Sequence, residues 1–414
     1  QPYHLATQQI GCYHQTYLSG LAPTIPAAER GTMSIDALNI QDNHRLNLPT
    51  IDMPPRILLG AGASNSHPRV LTAMIAPTVG HLDPTFLRVM DEVSELLRYA
   101  WQTDNAYTLA TSGTGSSAME AALANVVEPG DRVLVGVNGY FGRRMVDMAQ
   151  RYGADVRCLE TTWGAAFSPE ELRAAMEAHR PQVLALVPAE TSTGVRQPLD
   201  GLAALCHEHD CLLLVDTVTS LGGVPLFVDA WGLDVAYSGS QKCLSAPSGV
   251  APITFGPRAL AKIQNRKTPI ANWYMNSELL GQYWFGAPRA YHHTAPMHLF
   301  YALREGLRLV AEEGLAERWA RHQRVAERFW AGLGELGLEP HVPLEHRLPS
   351  LTTVRVPAGV DAAAVSRRLL SEYNIEIAGG LGDLAGKVWR VGLMGYNARP
   401  ETVAVLLRAL AEVL

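Results

Sequence analysis

Apolar and polar residues follow two alternating patterns along most of this chain. From about Arg56, short and almost wholly apolar runs alternate with longer stretches in which apolar residues recur every three or four positions. The short runs predict buried strands, and the longer stretches predict amphipathic helices. After a helix over 84–99, the pattern predicts strands at 107–111, 132–137, 156–159, 183–188, 211–216 and 235–238, and helices at 114–127, 143–152, 169–179 and 199–209. This alternation is typical of an α/β fold with a mostly parallel sheet between two layers of helices.

The two ends of the chain have different patterns. Residues 1–55 are rich in Gln, Asn, Pro and Thr without sustained periodicity, which predicts an extended arm before a large domain over 56–298. Residues 299–336 have one long helical pattern, which predicts a linker helix. A small α+β domain is predicted by a strand at 350–356, a helix at 361–373, a strand at 388–392 and a last helix opened by Pro400. We expect residues 299–414, the linker helix and this domain, to flank a cleft.

The composition of the 414 residues is that of a soluble globular enzyme, with 47% hydrophobic and 18% charged residues. The net charge of −6 comes without long basic runs, which argues against nucleic acid as the main partner. No apolar run approaches the roughly 20 residues that a membrane-crossing helix needs. The five cysteines are scattered without a CxxC pair, and the 14 histidines form no metal-binding pattern such as HExxH. We therefore expect a cytoplasmic protein with reduced thiols, no membrane partner and no bound metal.

Lys242 is the first candidate for chemistry. It lies between an apolar strand-like run and a turn rich in Ala, Pro and Gly. An amine buried in such a segment loses its proton more readily and can attack a carbonyl carbon to form a Schiff base. An ordinary surface lysine in a loop explains this segment equally well.

The run Ser112-Gly113-Thr114-Gly115-Ser116-Ser117 stands between a predicted strand and a predicted helix. A glycine-rich turn at a helix N-terminus points N–H groups and hydroxyls at one spot, where the helix dipole favours a phosphate. The match to a dinucleotide-binding turn is poor, because the next strand ends in Val137-Asn138 without a ribose-binding acid. No Gly-Lys-Ser/Thr follows, so the run is not a P-loop. Taken alone, a plain helix cap is as good an interpretation as a phosphate cradle.

Asp216 ends a predicted buried strand, at the sheet edge where α/β proteins bind ligands. It could be a turn or capping aspartate, or it could accept a hydrogen bond from a protonated ring nitrogen. A phosphate cradle, a strand-end aspartate and a later lysine match the phosphate, ring nitrogen and aldehyde of pyridoxal 5′-phosphate. The combination predicts this cofactor more specifically than any one part.

The sequence resembles the class V, fold-type I aminotransferases, and within them the alanine–glyoxylate/serine–pyruvate group. The resemblance extends from about residue 56 to the C-terminus. It rests on LLGAGASN at 58–65, EAALANVVEPGD at 120–131, ETSTGV at 190–195, LLVDTVTSLGG at 213–223, YSGSQK at 237–242, YHHT at 291–294 and RVGL at 390–393. This family implies a seven-stranded, mostly parallel sheet in the large domain and a smaller C-terminal α+β domain.

The resemblance also implies roles for single residues. Lys242 would form the Schiff base and move protons, Asp216 would pair with the ring nitrogen, and Arg390 would grip the substrate carboxylate beside Gly62. Phe141 stands where many relatives have Trp, and Ser116 stands where some have His. The implied cofactor contacts are Thr114, Gly115, Ser116 and Gln241 at the phosphate, Thr191 near the ring hydroxyl or phosphate, Val218 and Phe141 against the ring, and Tyr291 and Thr294 at the phosphate of the neighbouring subunit.

The resemblance thus predicts a homodimeric transaminase with a shared active site. It would exchange the amino group of alanine or serine with glyoxylate or pyruvate in a ping-pong cycle through the Lys242 Schiff base. Two alternatives share the fold: a 2-aminoethylphosphonate transaminase, and a lyase of the desulfurase or kynureninase type. No cysteine follows Cys243 to serve a desulfurase. A non-catalytic protein that binds the cofactor is a third alternative, but it would need neither Lys242 nor Arg390.

Overall fold

The computed structural model describes residues 48–414. Most of the predicted arm therefore lies outside the described residues, and its last part, residues 48–55, is exposed without regular secondary structure. Residues 54–414 form one compact unit. The predicted boundary at residue 299 stays a prediction.

Helices and strands alternate along the described residues. The helices are α1 (Pro68–Met74), α2 (Pro84–Trp101), α3 (Gly115–Val126), α4 (Tyr140–Arg151), α5 (Pro169–His179), α6 (Leu202–Glu208), α7 (Pro257–Gln264), α8 (Ser277–Phe285), α9 (Met297–Glu313), α10 (Leu315–Glu335), α11 (Ala362–Tyr373) and α12 (Pro400–Val413). The strands are β1 (Ile57–Leu58), β2 (Tyr107–Ser112), β3 (Arg132–Val137), β4 (Asp155–Glu160), β5 (Val183–Leu186), β6 (Ala189–Glu190), β7 (Val195–Arg196), β8 (Leu212–Asp216), β9 (Val235–Tyr237), β10 (Val250–Phe255), β11 (Leu351–Arg355), β12 (Ile375–Glu376), β13 (Ala378–Gly379) and β14 (Val388–Gly392).

The central sheet has seven strands in the order β2-β10-β9-β8-β5-β3-β4. Its neighbours pair in parallel except around β10, which runs antiparallel to both β2 and β9. The prediction of an α/β fold with a mostly parallel sheet is confirmed. The sequence pattern missed β10, because Pro252 within the run argues against a central strand.

One large apolar core surrounds this sheet. Buried residues of the central strands pack against buried faces of α2, α3, α5 and α9. Local signals explain where these helices begin: Asp83 caps α2 ahead of Pro84, and Ser168 and Glu171 form a capping box on α5. None of the helices in residues 48–414 combines the length and apolar character that a membrane crossing requires.

The long helical pattern over 299–336 proved to be two helices, not one. Helix α9 ends and α10 begins at Gly314, whose φ of 83° is a conformation that residues with a side chain rarely adopt. Helix α9 packs in the core of the central sheet. Helix α10 instead packs with α11, α12 and a three-stranded antiparallel sheet, in the order β11-β14-β13, around a second apolar core.

Candidate active site

A cavity of about 430 Å³ lies at the carboxyl ends of the central strands. Its size is within the usual range for small-molecule sites, and its place is where open α/β sheets bind ligands. Of the predicted site residues, it is lined by Gly62, Thr114, Gly115, Ser116, Phe141, Thr191, Asp216, Val218, Gln241, Lys242 and Arg390. The fold therefore brings together residues from both cores of the molecule.

Two predicted site residues do not line this cavity. Tyr291 is 60% exposed, and Thr294 is exposed as well. The two hydroxyls lie 3.5 Å apart. Both residues were predicted to reach a neighbouring subunit, so their distance from this chain's own cavity leaves that prediction open.

Lys242 is a buried amine, with 5% of its surface exposed. Its Nζ donates a hydrogen bond to the carbonyl of Ala61 at the cavity wall. Burial lowers the pKa of Lys242 to about 8, and the positive charge of Arg390 acts in the same direction. About a tenth of the amine is therefore uncharged at pH 7, far more than in an ordinary lysine, and the uncharged form is the nucleophile.

The turn that carries Lys242 is held on both sides. The Ser64 hydroxyl lies 2.8 Å from the Lys242 carbonyl and 2.9 Å from the Ser245 hydroxyl. The Arg318 guanidinium donates to the carbonyl of Cys243. Ser245 has a φ of 52°, a left-handed conformation that costs energy for a residue with a side chain. These contacts fix the direction in which the lysine leaves the backbone.

Asp216 ends β8 with 4% of its surface exposed. One carboxylate oxygen accepts from the backbone N–H of Val218 at 2.8 Å, and the other accepts from the Tyr237 hydroxyl at 2.9 Å. Burial raises the pKa of Asp216 to about 6. A positive charge placed against this carboxylate would lower that pKa again, so the site favours a cationic partner.

The N-terminus of α3 forms the predicted cradle. Thr114 occupies the N-cap position, yet its hydroxyl makes no capping hydrogen bond. A Cβ on Gly115 would lie 3.3 Å from a methyl group of Val218, which leaves the backbone little room for a side chain. The Gln241 amide oxygen is buried without a hydrogen-bond partner among the described residues. Donors left free at a helix N-terminus favour an anion over a plain helix cap, whereas the Gln241 oxygen is an acceptor and calls for a donor.

Arg390 stands on β14 with 8% of its surface exposed. Its Nε donates to the Gly379 carbonyl at 2.7 Å, and its Nη1 donates to the Thr191 carbonyl at 3.3 Å. Burial lowers the pKa of this guanidinium from its ordinary value, although the group stays charged. Backbone carbonyls orient the group without neutralising it, so its charge remains available to a carboxylate in the cavity.

Glu190 holds the helix that carries Phe141. Its carboxylate is fully buried, accepts from the N–H of Phe141 at 3.1 Å and of Gly142 at 3.4 Å, and so caps α4 from another part of the chain. The Ser192 hydroxyl accepts from the N–H of Tyr140 at 2.8 Å. Burial raises the pKa of Glu190, against the opposing effect of these hydrogen bonds. The Phe141 ring therefore has a fixed position in the cavity wall.

Three residues near the site were not assigned roles from the sequence. Tyr237 meets Asp216 because the two are register partners on neighbouring strands. Glu190 belongs to the ETSTGV stretch, but nothing local shows that it caps α4. Arg144 lines the cavity and donates to the Ser116 hydroxyl at 2.9 Å. Its position one turn after Phe141 was the only signal in the sequence.

The residues present fit pyridoxal 5′-phosphate. Lys242 offers an amine for the aldehyde, Asp216 offers a buried carboxylate for the ring nitrogen, and the α3 N-terminus offers donors for the phosphate. The Gln241 side chain lines the same cavity, where its amide N–H₂ group would be a further donor. Each chemical feature of the cofactor has a matching group.

Comparison with known proteins agrees with this geometry. Residues 59–402 match the family model "Aminotransferase class-V". The chain is 47% identical to the alanine–glyoxylate aminotransferase of Drosophila melanogaster, over 87% of this chain and 92% of that protein. It is 40% identical to the (S)-ureidoglycine–glyoxylate transaminase of Bacillus subtilis, over 87% of this chain and 91% of that protein.

Solved structures give the same result. The crystal structure of an alanine–glyoxylate aminotransferase from Nostoc sp. is 61% identical and superposes with a TM-score of 0.89, covering 91% of this chain and all of the Nostoc chain. The chain therefore belongs to the class V aminotransferase family, whose enzymes use pyridoxal 5′-phosphate.

Proposed function

We propose that this enzyme transfers the amino group of alanine to glyoxylate. The observation that carries the proposal is the cavity that joins Lys242, Asp216 and the guanidinium of Arg390, whose hydrogen bonds go to backbone carbonyls. Such a site suits a substrate with one carboxylate and a small side chain. The named activities of the Drosophila melanogaster and Nostoc sp. relatives support alanine as donor and glyoxylate as acceptor.

The mechanism follows from what each residue can do. When bound, pyridoxal 5′-phosphate supplies an aldehyde carbon for a Schiff base and a ring that draws electrons away from the substrate α-carbon. Arg390 would bind the α-carboxylate through two parallel N–H donors and so orient the α-carbon toward Lys242. The uncharged Lys242 amine would take the α-proton and hold it for return. Asp216, fixed by Tyr237 and Val218, would keep its negative charge at the ring nitrogen.

Cys243 gives no support to a desulfurase. Its thiol is buried and lies 3.4 Å from the Thr219 carbonyl. Burial raises the pKa of this thiol to about 11, so it is not a thiolate at neutral pH. A desulfurase needs a reactive thiolate that can approach the substrate, and Cys243 cannot supply one.

A panel of amino donors and 2-oxo acids tests the proposed substrates. Alanine with glyoxylate should give the highest kcat/KM, with serine as a slower donor and pyruvate as a slower acceptor. The two half-reactions can be followed separately by the visible absorbance of the cofactor. A preference for aspartate or for a phosphonate donor would contradict the proposal.

(S)-Ureidoglycine is the second candidate donor, because the Bacillus subtilis relative carries that name. It has the same carboxylate for Arg390 but a larger polar side chain. It belongs in the same panel, with glyoxylate as the common acceptor. A kcat/KM for (S)-ureidoglycine about tenfold above that for alanine would reassign the donor and leave the rest of the proposal intact.

We also propose that the enzyme is a homodimer whose subunits share the active sites. The support is an exposed aromatic surface beside Tyr291, in which Trp273 is 62% exposed and stacks on His292 at a ring distance of 4.7 Å. Exposed aromatic surface of this kind is typical of protein interfaces. Tyr291 and Thr294 would reach the partner's cofactor phosphate from this surface. The cytoplasmic location stays a prediction.

Mixed dimers test the shared site. Lys242→Ala and Tyr291→Ala chains should each be impaired alone. A hybrid dimer has one site with Lys242 from one chain and Tyr291 from the other, so mixing should restore activity at limiting cofactor. Light scattering should give the mass of two chains. A monomeric mass, or a mixture no more active than the sum of its parts, would contradict the shared site.

A further inference from the structure

Arg144 lies at the phosphate end of the cavity, a place to which the sequence had assigned no cation. It stands on α4, and its Nη1 donates to the Ser116 hydroxyl at 2.9 Å. Its guanidinium lies over the ring of Phe141, 4.9 Å from the ring centroid. Ser116 in turn lies at the N-terminus of α3, so the guanidinium reaches the cradle from the neighbouring helix.

The charge of Arg144 has no carboxylate partner among residues 48–414. Its contacts are the Ser116 hydroxyl and the faces of Phe141 and Tyr140. The preceding arginine differs: Arg143 forms an ion pair with Asp383 at 3.3 Å. A half-buried guanidinium without a counter-ion is costly unless an anion completes its environment. Two adjacent arginines on one helix thus have different electrostatic surroundings.

The cradle itself supplies only neutral donors. Thr114, Gly115, Ser116 and Gln241 offer hydroxyl, N–H and amide groups. A phosphate monoester carries a charge of about −1.5 to −2 at neutral pH. The dipole of α3 offsets about half a unit of this charge. A guanidinium beside the cradle would offset a full unit, and it can donate two parallel hydrogen bonds to phosphate oxygens.

We propose that Arg144 is the cationic phosphate-binding residue of the cofactor site, acting beside Ser116. This inference rests on the proposed function, and it adds a residue that would neutralise the phosphate charge of the cofactor. Arg144 also supports the Phe141 ring, and the two roles have different consequences. Loss of a phosphate contact weakens binding only of a phosphorylated cofactor, whereas loss of ring support weakens binding of any pyridoxal ring.

The test compares pyridoxal 5′-phosphate with pyridoxal, which lacks the phosphate. Both are titrated into the full-length protein after removal of cofactor, by absorbance and by quenching of tryptophan fluorescence. The measured quantity is the ratio of the two dissociation constants. In Arg144→Gln this preference for the phosphorylated form should fall about tenfold, the loss of one charge-assisted contact. Inorganic phosphate should also compete less well with the cofactor in this variant.

Three further variants serve as controls for Arg144→Gln. Arg143→Gln removes one positive charge from the same helix and should leave the ratio unchanged. Arg144→Lys keeps the charge and should retain most of the preference for the phosphorylated form. Arg144→Met, whose unbranched chain can still pack on Phe141, is a second neutral variant if Arg144→Gln does not fold. The inference would be overturned if the neutral variants bound both ligands more weakly by the same factor, so that the ratio did not change. It would also be overturned if Arg143→Gln lowered the ratio as much as Arg144→Gln. Failure of the unaltered protein to bind either ligand would instead overturn the cofactor assignment.

Discussion

Replacement of Lys242 by alanine should lower kcat by at least about 10³-fold, because both the amine that binds the cofactor and the proton carrier are lost. The cavity holds no second lysine among its lining residues, so nothing in the described site can substitute. The substitution also removes an amine whose charged form is costly to bury, so it should not destabilise the fold. We therefore expect a folded protein that is inactive, not an unfolded one.

Lys267→Ala is the matched control, because Lys267 is exposed and lies outside the cavity. It should keep the activity of the unaltered enzyme. Borohydride reduction of the holoenzyme, followed by peptide mass analysis, should place the cofactor label on the peptide that contains Lys242. Normal turnover of Lys242→Ala, or a label on another lysine, would refute the assignment.

Replacement of Asp216 by asparagine should lower kcat by about 10²-fold or more, the scale on which loss of a preorganised electrostatic partner slows an enzyme. The carboxylate accepts hydrogen bonds at both of its oxygens, from Val218 and from Tyr237. An amide can accept at only one of these positions and carries no charge. A ring nitrogen beside it would lose its proton, and the α-proton of the substrate would be harder to remove.

Asp147→Asn is a suitable control for this change, since Asp147 forms a surface ion pair with Arg151 and does not touch the cavity. It should be as active as the unaltered enzyme. The absorbance of the bound cofactor separates a chemical effect from a failure to bind. If Asp216→Asn binds the cofactor with an unchanged spectrum and turns over at the normal rate, the proposed role of the carboxylate is wrong.

Much of the large domain could be predicted because its signals are local. The strand at 132–137 and the helix at 169–179 were predicted with the bounds that the structure shows, β3 and α5. Their apolar periodicity and capping residues act over a few positions. Two predictions failed for different reasons: the tertiary environment overrode one local signal, and another local signal was passed over. Pro252 concealed β10, and Gly314 divides a helical pattern that otherwise continues on both sides.

The sequence by itself determined the fold class and the types of residue that handle the cofactor. Lys242, Asp216 and the glycine-rich turn before α3 were each open to an ordinary structural interpretation, and only their combination in one chain predicted the cofactor. Arg390 could be named only through the family resemblance. That it approaches Thr191 depends on how β14 packs against the segment after β6.

Only the tertiary structure decided which further groups serve the site. Tyr237 reaches Asp216 through strand register, Glu190 caps a helix distant in sequence, and Arg144 extends from α4 to the N-terminus of α3. Such contacts depend on strand order and on the packing of whole elements, and neither leaves a periodic trace in the residues involved. A buried carboxylate or guanidinium acquires its role from the charges that the fold places around it.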